Sequence, residues 1–391
     1  MKPMHRLICC LVFMAILTFF GSCVKNIGQI PINFQVNPAV LSLCGIPLHV
    51  DPSSSGANPP FPLTASPAAG AGAFGVAMFA DLSLTDSTVA TYNTNVNGNF
   101  WYSFTFLSQA RSGIGAGSVD NKVFFAGGQL PSIPGTINNG FSSVVDIFNI
   151  SPILALNTPS SLLPHSVANL SEARALPAVG SAGHVIAIGG GMVPGDPYAN
   201  SRTVDFYNNG NNTWSNSQLS VGRGFLAAAG WGTKILFGGG EDITSTIPTD
   251  LVDIYDINST VWTVSKLSQA RSHLAAAATC NKIFFAGGLL FDGTASDRVD
   301  IYDVPTGTWS TAQLSEPRIA LSGVVAGNRI FFGGGYKDIA LNPSKTVDVY
   351  DLSSGTWSTF NLNDKSLASA PALNKAVFIG GNGGDIFAVS Q

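Results

Sequence analysis

The stretch LSQARSGIGAGSVDNKVFFAGG at 107–128 returns, barely altered, as LSQARSHLAAAATCNKIFFAGG at 267–288. It belongs to a longer series. An apolar run ends in paired glycines six times, and the first glycine of each pair falls at 127, 189, 238, 287, 333 and 380. Most of these spacings are 46 to 49 residues, with one of 62. A second mark follows the first five: VDIFN at 145–149, VDFYN at 204–208, VDIYD at 252–256 and 299–303, and VDVYD at 347–351. Tryptophan comes seven residues after the tyrosine, at Trp214, Trp262, Trp309 and Trp357. Arginine follows nine later, at Arg223, Arg271 and Arg318, and Arg111 and Arg174 hold the same place before their own glycine pairs. A degraded copy precedes them all: GVAMFAD at 75–81, VATYN at 89–93, then Trp101. That makes seven copies.

Each copy reads as four short antiparallel strands separated by turn residues. The first strand is small-residue text such as LAAAAT at 274–279, the second KIFFAGG, the third VDIYD, and the fourth is centred on the tryptophan. The size gradient fits sheets that converge on an axis, where Ala and Gly have room, and splay outward, where Trp has room. Glycines after the second strand permit positive φ and close backbone approach. The text repeats because equivalent sheets meet equivalent neighbours around a ring.

This recurrence resembles the kelch repeat, whose period is about 50 residues. The resemblance covers roughly 63–391 and implies an all-β propeller of seven four-stranded blades, or six if 60–106 pack outside the ring. There are departures. The first copy lacks its glycine pair, the second has His165 where Trp is expected, and the last lacks Trp and has Ser366 in place of Arg. The last copy also stops after its third strand. Alternating apolar residues within Ile32–Val50 make that segment the candidate closing strand.

Charged residues are 11% of the chain, against about 25% in a typical soluble domain. With 43 glycines this suits a β-rich body with many turns. Net charge is −4 and no Lys/Arg run occurs, so nucleic acid is not an expected partner. Lys2, His5 and Arg6 precede an apolar run from Leu7 to Phe20, then Gly21, Ser22 and Cys23. That pattern is a signal peptide over 1–22, too short to span a membrane. Its end resembles a bacterial lipoprotein signal, which implies lipid on Cys23 and a membrane anchor. Ordinary secretion is the alternative. Residues 23–62 then hold the tether, the possible closing strand and a Pro/Ser-rich connector. Cys44 and Cys280 are the cysteines left in the body; whether they pair is open.

The loops between second and third strands, at 129–144, 192–203, 241–251, 289–298 and 336–346, are long and variable, and they share one face with the links between blades. Binding commonly sits on such loops. The kelch resemblance implies that the residue two after each arginine lines the pocket: Gly113, Leu176, Phe225, His273 and Ala320. Phe225, His273 and Tyr336 are the leading candidates, with Leu176 and the loop acids Asp242, Asp292 and Asp338 beside them. Phe225 is either a stacking platform or a plug in the channel. A residue repeated in every blade solves a packing problem, so Arg111, Arg174, Arg223, Arg271 and Arg318 are read as structural, as are Asp146, Asp205, Asp253, Asp300 and Asp348. GAGAFG at 70–75 lacks the strand before and helix after that a dinucleotide needs. No HExxH, GxSxG or CxxC occurs, and the histidines are scattered, so no metal, cofactor or catalytic residue is assigned. The expected function is a binding module for a protein or glycan. The rival is a sugar-active enzyme similar to N-acetylneuraminate epimerase.

Overall fold

In the computed structural model, described at 49–50, 69–73, 76–80, 87–94, 100–131, 140–150, 163–195, 199–242, 245–362, 368–372, 375–380 and 383–390, there are strands and no helix. Cys23 and most of the tether and connector lie outside these residues. Seven sheets have four strands each. The fifth shows the pattern. Ala275–Thr279, Lys282–Ala286, Arg298–Asp303 and Thr308–Gln313 pair antiparallel in sequence order. The innermost strands, from Ala69–Ala73 in blade one to Ala368–Ala372 in blade seven, each touch the next, and the last touches the first. This closes the ring at seven blades, so the strands at 69–73, 76–80, 88–94 and 100–106 belong inside it.

Alternation along the second strand explains the packing. In blade five Ile283 and Phe285 face blade four, where they meet Leu236 and Ile254, while Phe284 faces blade six and meets Ile330 and Phe332. Both faces of a blade are therefore buried. The core, among the described residues, is a set of clusters each shared by two neighbouring blades. Each fully buried Phe in them contributes about 1.5–3 kcal/mol. The inner strands run so close that a Cβ on Gly117 would lie 2.4 Å from Val179 of the next blade.

Tyrosine and tryptophan sit opposite each other across the third and fourth strands, as in Tyr302 and Trp309, with ring centroids 5.0 Å apart. Trp262 and Trp309 reach back to the preceding blade, where each Nε1 donates to a serine hydroxyl, Ser217 or Ser265, at 2.9 Å. His165 takes the tryptophan's place in blade two. It pairs opposite Phe148, stacks on it at 4.6 Å, and meets Asp146 at 2.7 Å. Blade one departs from the expectation for Trp101. That residue pairs opposite Asn93, and Tyr102 stands opposite Tyr92. The wider spacing from Tyr92 to Trp101 shifts the register by one residue. His49–Val50 takes the outer place in blade seven, with His49 opposite Ser390. Cys280, in the turn after the inner strand of blade five, is disulfide-bonded; Cys44 lies outside the described residues.

Candidate functional site

The face carrying the long loops is built from the link between blades. Arg174 illustrates it. Its Nη2 donates to Asp205 at 2.6 Å and to the Ile188 carbonyl at 2.8 Å, both in blade three. Its own carbonyl accepts the Gly128 N–H of blade two at 2.8 Å. The other Asp205 oxygen accepts the Ser171 N–H at 3.0 Å. The same pairing recurs in Arg111–Asp146, Arg223–Asp253, Arg271–Asp300 and Arg318–Asp348. All ten side chains are buried, and burial pulls the arginine pKa values down while the aspartates oppose it. Arg271 falls to about 10 and stays a cation at neutral pH. Each guanidinium is thus occupied by its own chain, and only the buried Nε atoms have no partner. These arginines offer no free cation to a ligand.

The residue two after each arginine forms a collar. Gly113, Leu176, Phe225, His273 and Ala320 all have φ between 51° and 60°. For a residue other than Gly this costs about 1–2 kcal/mol. Hydrogen bonds between blades hold the conformation: Leu176 N–H to Gly113 O at 2.6 Å, His273 N–H to Phe225 O at 2.9 Å, and Ala320 N–H to His273 O at 2.9 Å. A second position lies just outside. The residue after each glycine pair or triplet bridges to the residue after each arginine: Gln129 to Ser112, Met192 to Ala175, Glu241 to Gly224, Leu289 to Ser272, and Tyr336 to Ile319.

Phe225 and His273 are brought together. Their rings stack with centroids 4.0 Å apart and planes 17° apart. His273 Nδ1 lies 3.0 Å from Ser272 Oγ and 4.0 Å from Glu241 Oε2. Burial lowers the His273 pKa and the nearby Glu241 raises it, with burial prevailing. Leu176 and Tyr336 belong to the same two rings of positions in blades three and six. The loop acids behave differently. Asp292 accepts the Thr294 N–H and hydroxyl, and Asp338 accepts the Ala340 and Asn342 N–H groups and the Asn342 side-chain amide. These bonds shape each acid's own loop and hold both carboxyls below their usual pKa. Asp242 accepts from the Asn200 side-chain amide at 3.3 Å. Phe291, Ile339 and Leu341, beside these acids, are exposed.

The residue that the sequence reading passed over is Glu241. Its position was legible, since it follows a glycine triplet as Tyr336 does. What the sequence hides is that it is buried and abuts His273. Among the described residues no group of three or more His, Cys, Asp or Glu is arranged to hold a metal ion.

The kelch motif model matches 270–313, the last turn of the blade-four link together with blade five. The solved structure of YjhT superposes with a TM-score of 0.60, over 78% of this chain and 99% of that one, at 14% identity. The fold is a seven-bladed kelch-type propeller. At that identity the likeness speaks for the propeller alone. No curated protein sequence matches the chain.

Proposed function

We propose that this kelch-type propeller is a binding module that receives a protein or glycan at the mouth ringed by Phe225, His273 and Glu241. The observation that carries the reading is the half-buried Phe225–His273 stack, two rings from adjacent blades held at positive φ by hydrogen bonds between blades. Backbone strain tends to gather at ligand sites, and a rigid aromatic surface suits the apolar face of a sugar or side chain. A glycan array on the purified protein tests it. Binding that survives Phe225→Ala and His273→Ala together removes the mouth as the site.

A second reading has one observation in its favour. An imidazole and a carboxylate 4.0 Å apart are acid/base groups of the kind that opening and closing a sugar ring requires. It makes the chain a sugar-active enzyme similar to N-acetylneuraminate epimerase. A mutarotation assay separates the two: no acceleration above the spontaneous rate by the purified protein leaves binding alone. We further propose export and anchoring through lipid on Cys23. Cys23→Ala then releases the protein from the membrane fraction, and retention there counts against the anchor.

A further inference from the structure

We infer that the Glu241 carboxylate, beside the Phe225–His273 stack, receives a protonated amine carried by the ligand of the mouth. This rests on the reading of the mouth as a binding site and adds the ligand's chemistry. The Glu241 side chain is only 8% exposed. Among the described residues no donor lies within hydrogen-bond distance of its carboxylate, and its one charged-group neighbour is His273 Nδ1 at 4.0 Å. Acids elsewhere on this face are better served. Glu172 accepts from the Ser201 hydroxyl at 2.5 Å and lies 3.9 Å from Arg174. Glu316 accepts from the Ser344 hydroxyl and pairs with Lys337 at 3.0 Å. A largely buried carboxylate that still opens toward the mouth gains from a cation beside it. His273 does not pair it by charge, because burial favours the neutral imidazole.

The surroundings suit an ammonium group. Aromatic faces attract cations at close range, and Phe225 supplies one from the residue next to Gly224, which bridges to Glu241. Of the two flanking collar positions, Ala320 is small and Leu176 is apolar. The ligand class is therefore a primary amine, whether on a 2-amino sugar or a lysine side chain.

Calorimetric titration at pH 7 with glucosamine, N-acetylglucosamine, a lysine-bearing peptide and the same peptide acetylated at lysine tests this. We expect one amine probe to bind at least tenfold tighter than its acetylated counterpart, and the probe that does so identifies the source. Glu241→Gln, which preserves shape, should abolish that preference without lowering the melting temperature, while Phe225→Ala should weaken both members of the pair. Failure of both amines to bind, equal binding of acetylated and free forms, or a preference that persists in Glu241→Gln overturns the amine inference. If the acetylated forms bind and Phe225→Ala weakens them, the mouth stands as a binding site and only the ligand chemistry falls.

Discussion

The ring of Phe225 lies flat against that of His273, 4.0 Å from centroid to centroid, although the two residues open different blades. Both are half-buried, so the stack presents an edge or face to solvent. A platform and a plug differ in what loss of the ring does. Phe225→Ala should cost less than about 1.5 kcal/mol in urea unfolding, below the range for a fully buried side chain. Phe237, fully buried where blades three and four meet, sets the scale. Phe237→Ala should cost about 3–5 kcal/mol. Equal losses in the two variants would show that Phe225 is a channel plug.

Arg223 and Asp253 join a link between blades to the blade it enters, and neither reaches water. Removing one partner strands the other charge in the interior. Asp253→Asn should therefore destabilise by about 3–5 kcal/mol. Arg223→Met with Asp253→Leu removes both charges and should recover part of that loss. Guanidinium unfolding curves of the single and double variants check this; a double variant worse than the single would mean the pair's worth lies in its hydrogen bonds to Ser220 and the Leu251 carbonyl.

The repeat made the architecture legible because each mark answers a local demand that recurs in every blade. Gly127 and Gly128 take φ of 65° and 116°, Trp262 fills the outer gap between blades, and Arg174 meets Asp205. The degraded copy was legible in phase but not in register, since Trp101 and Tyr92 both occur yet do not face each other. The site was legible only in part. Phe225 and His273 share a repeat position, so their juxtaposition follows from the ring. The local bonds of Asp292 and Asp338 did not follow, because a carboxylate that accepts from a Thr or Ala N–H two residues on depends on the shape its loop takes. Glu241 was missed because burial is a property of the assembled mouth, where blade five covers blade four.

Gly127 tests the latch between blades. A Cβ there would lie 2.4 Å from the Arg174 carbonyl oxygen, and its φ of 65° is already unfavourable for Ala. Gly232 has nearly the same φ, 63°, but its Cβ would meet nothing nearer than 3.9 Å. Gly232→Ala should thus cost only the conformational term, about 1–2 kcal/mol. Gly127→Ala should cost clearly more, because backbone has to move. Comparable melting temperatures for the two variants would show that the blades yield easily at this contact.

His273 should leave its own mark on the pH dependence of stability. Glu241, Ser272 and Phe225 face its ring, and burial, opposed by Glu241, holds its pKa below the ordinary value of about 6.5. The unfolded chain then binds a proton that the folded chain refuses. Between the folded and unfolded pKa values stability rises with pH, and it falls as pH drops below about 6.5. The carboxylates act in a different window. Hydrogen bonds to Thr294, to Thr306 and Lys282, and to Asn342 keep Asp292, Asp303 and Asp338 below their usual range. What those groups contribute is present above about pH 4 and lost only in stronger acid. Melting temperatures measured from pH 7.5 to 5 should decline, and His273→Gln should flatten that decline while leaving the acid limb below pH 4 in place. An unchanged slope in His273→Gln would mean that the imidazole is as easily protonated in the folded mouth as in the unfolded chain, and that Glu241 already has a cation beside it.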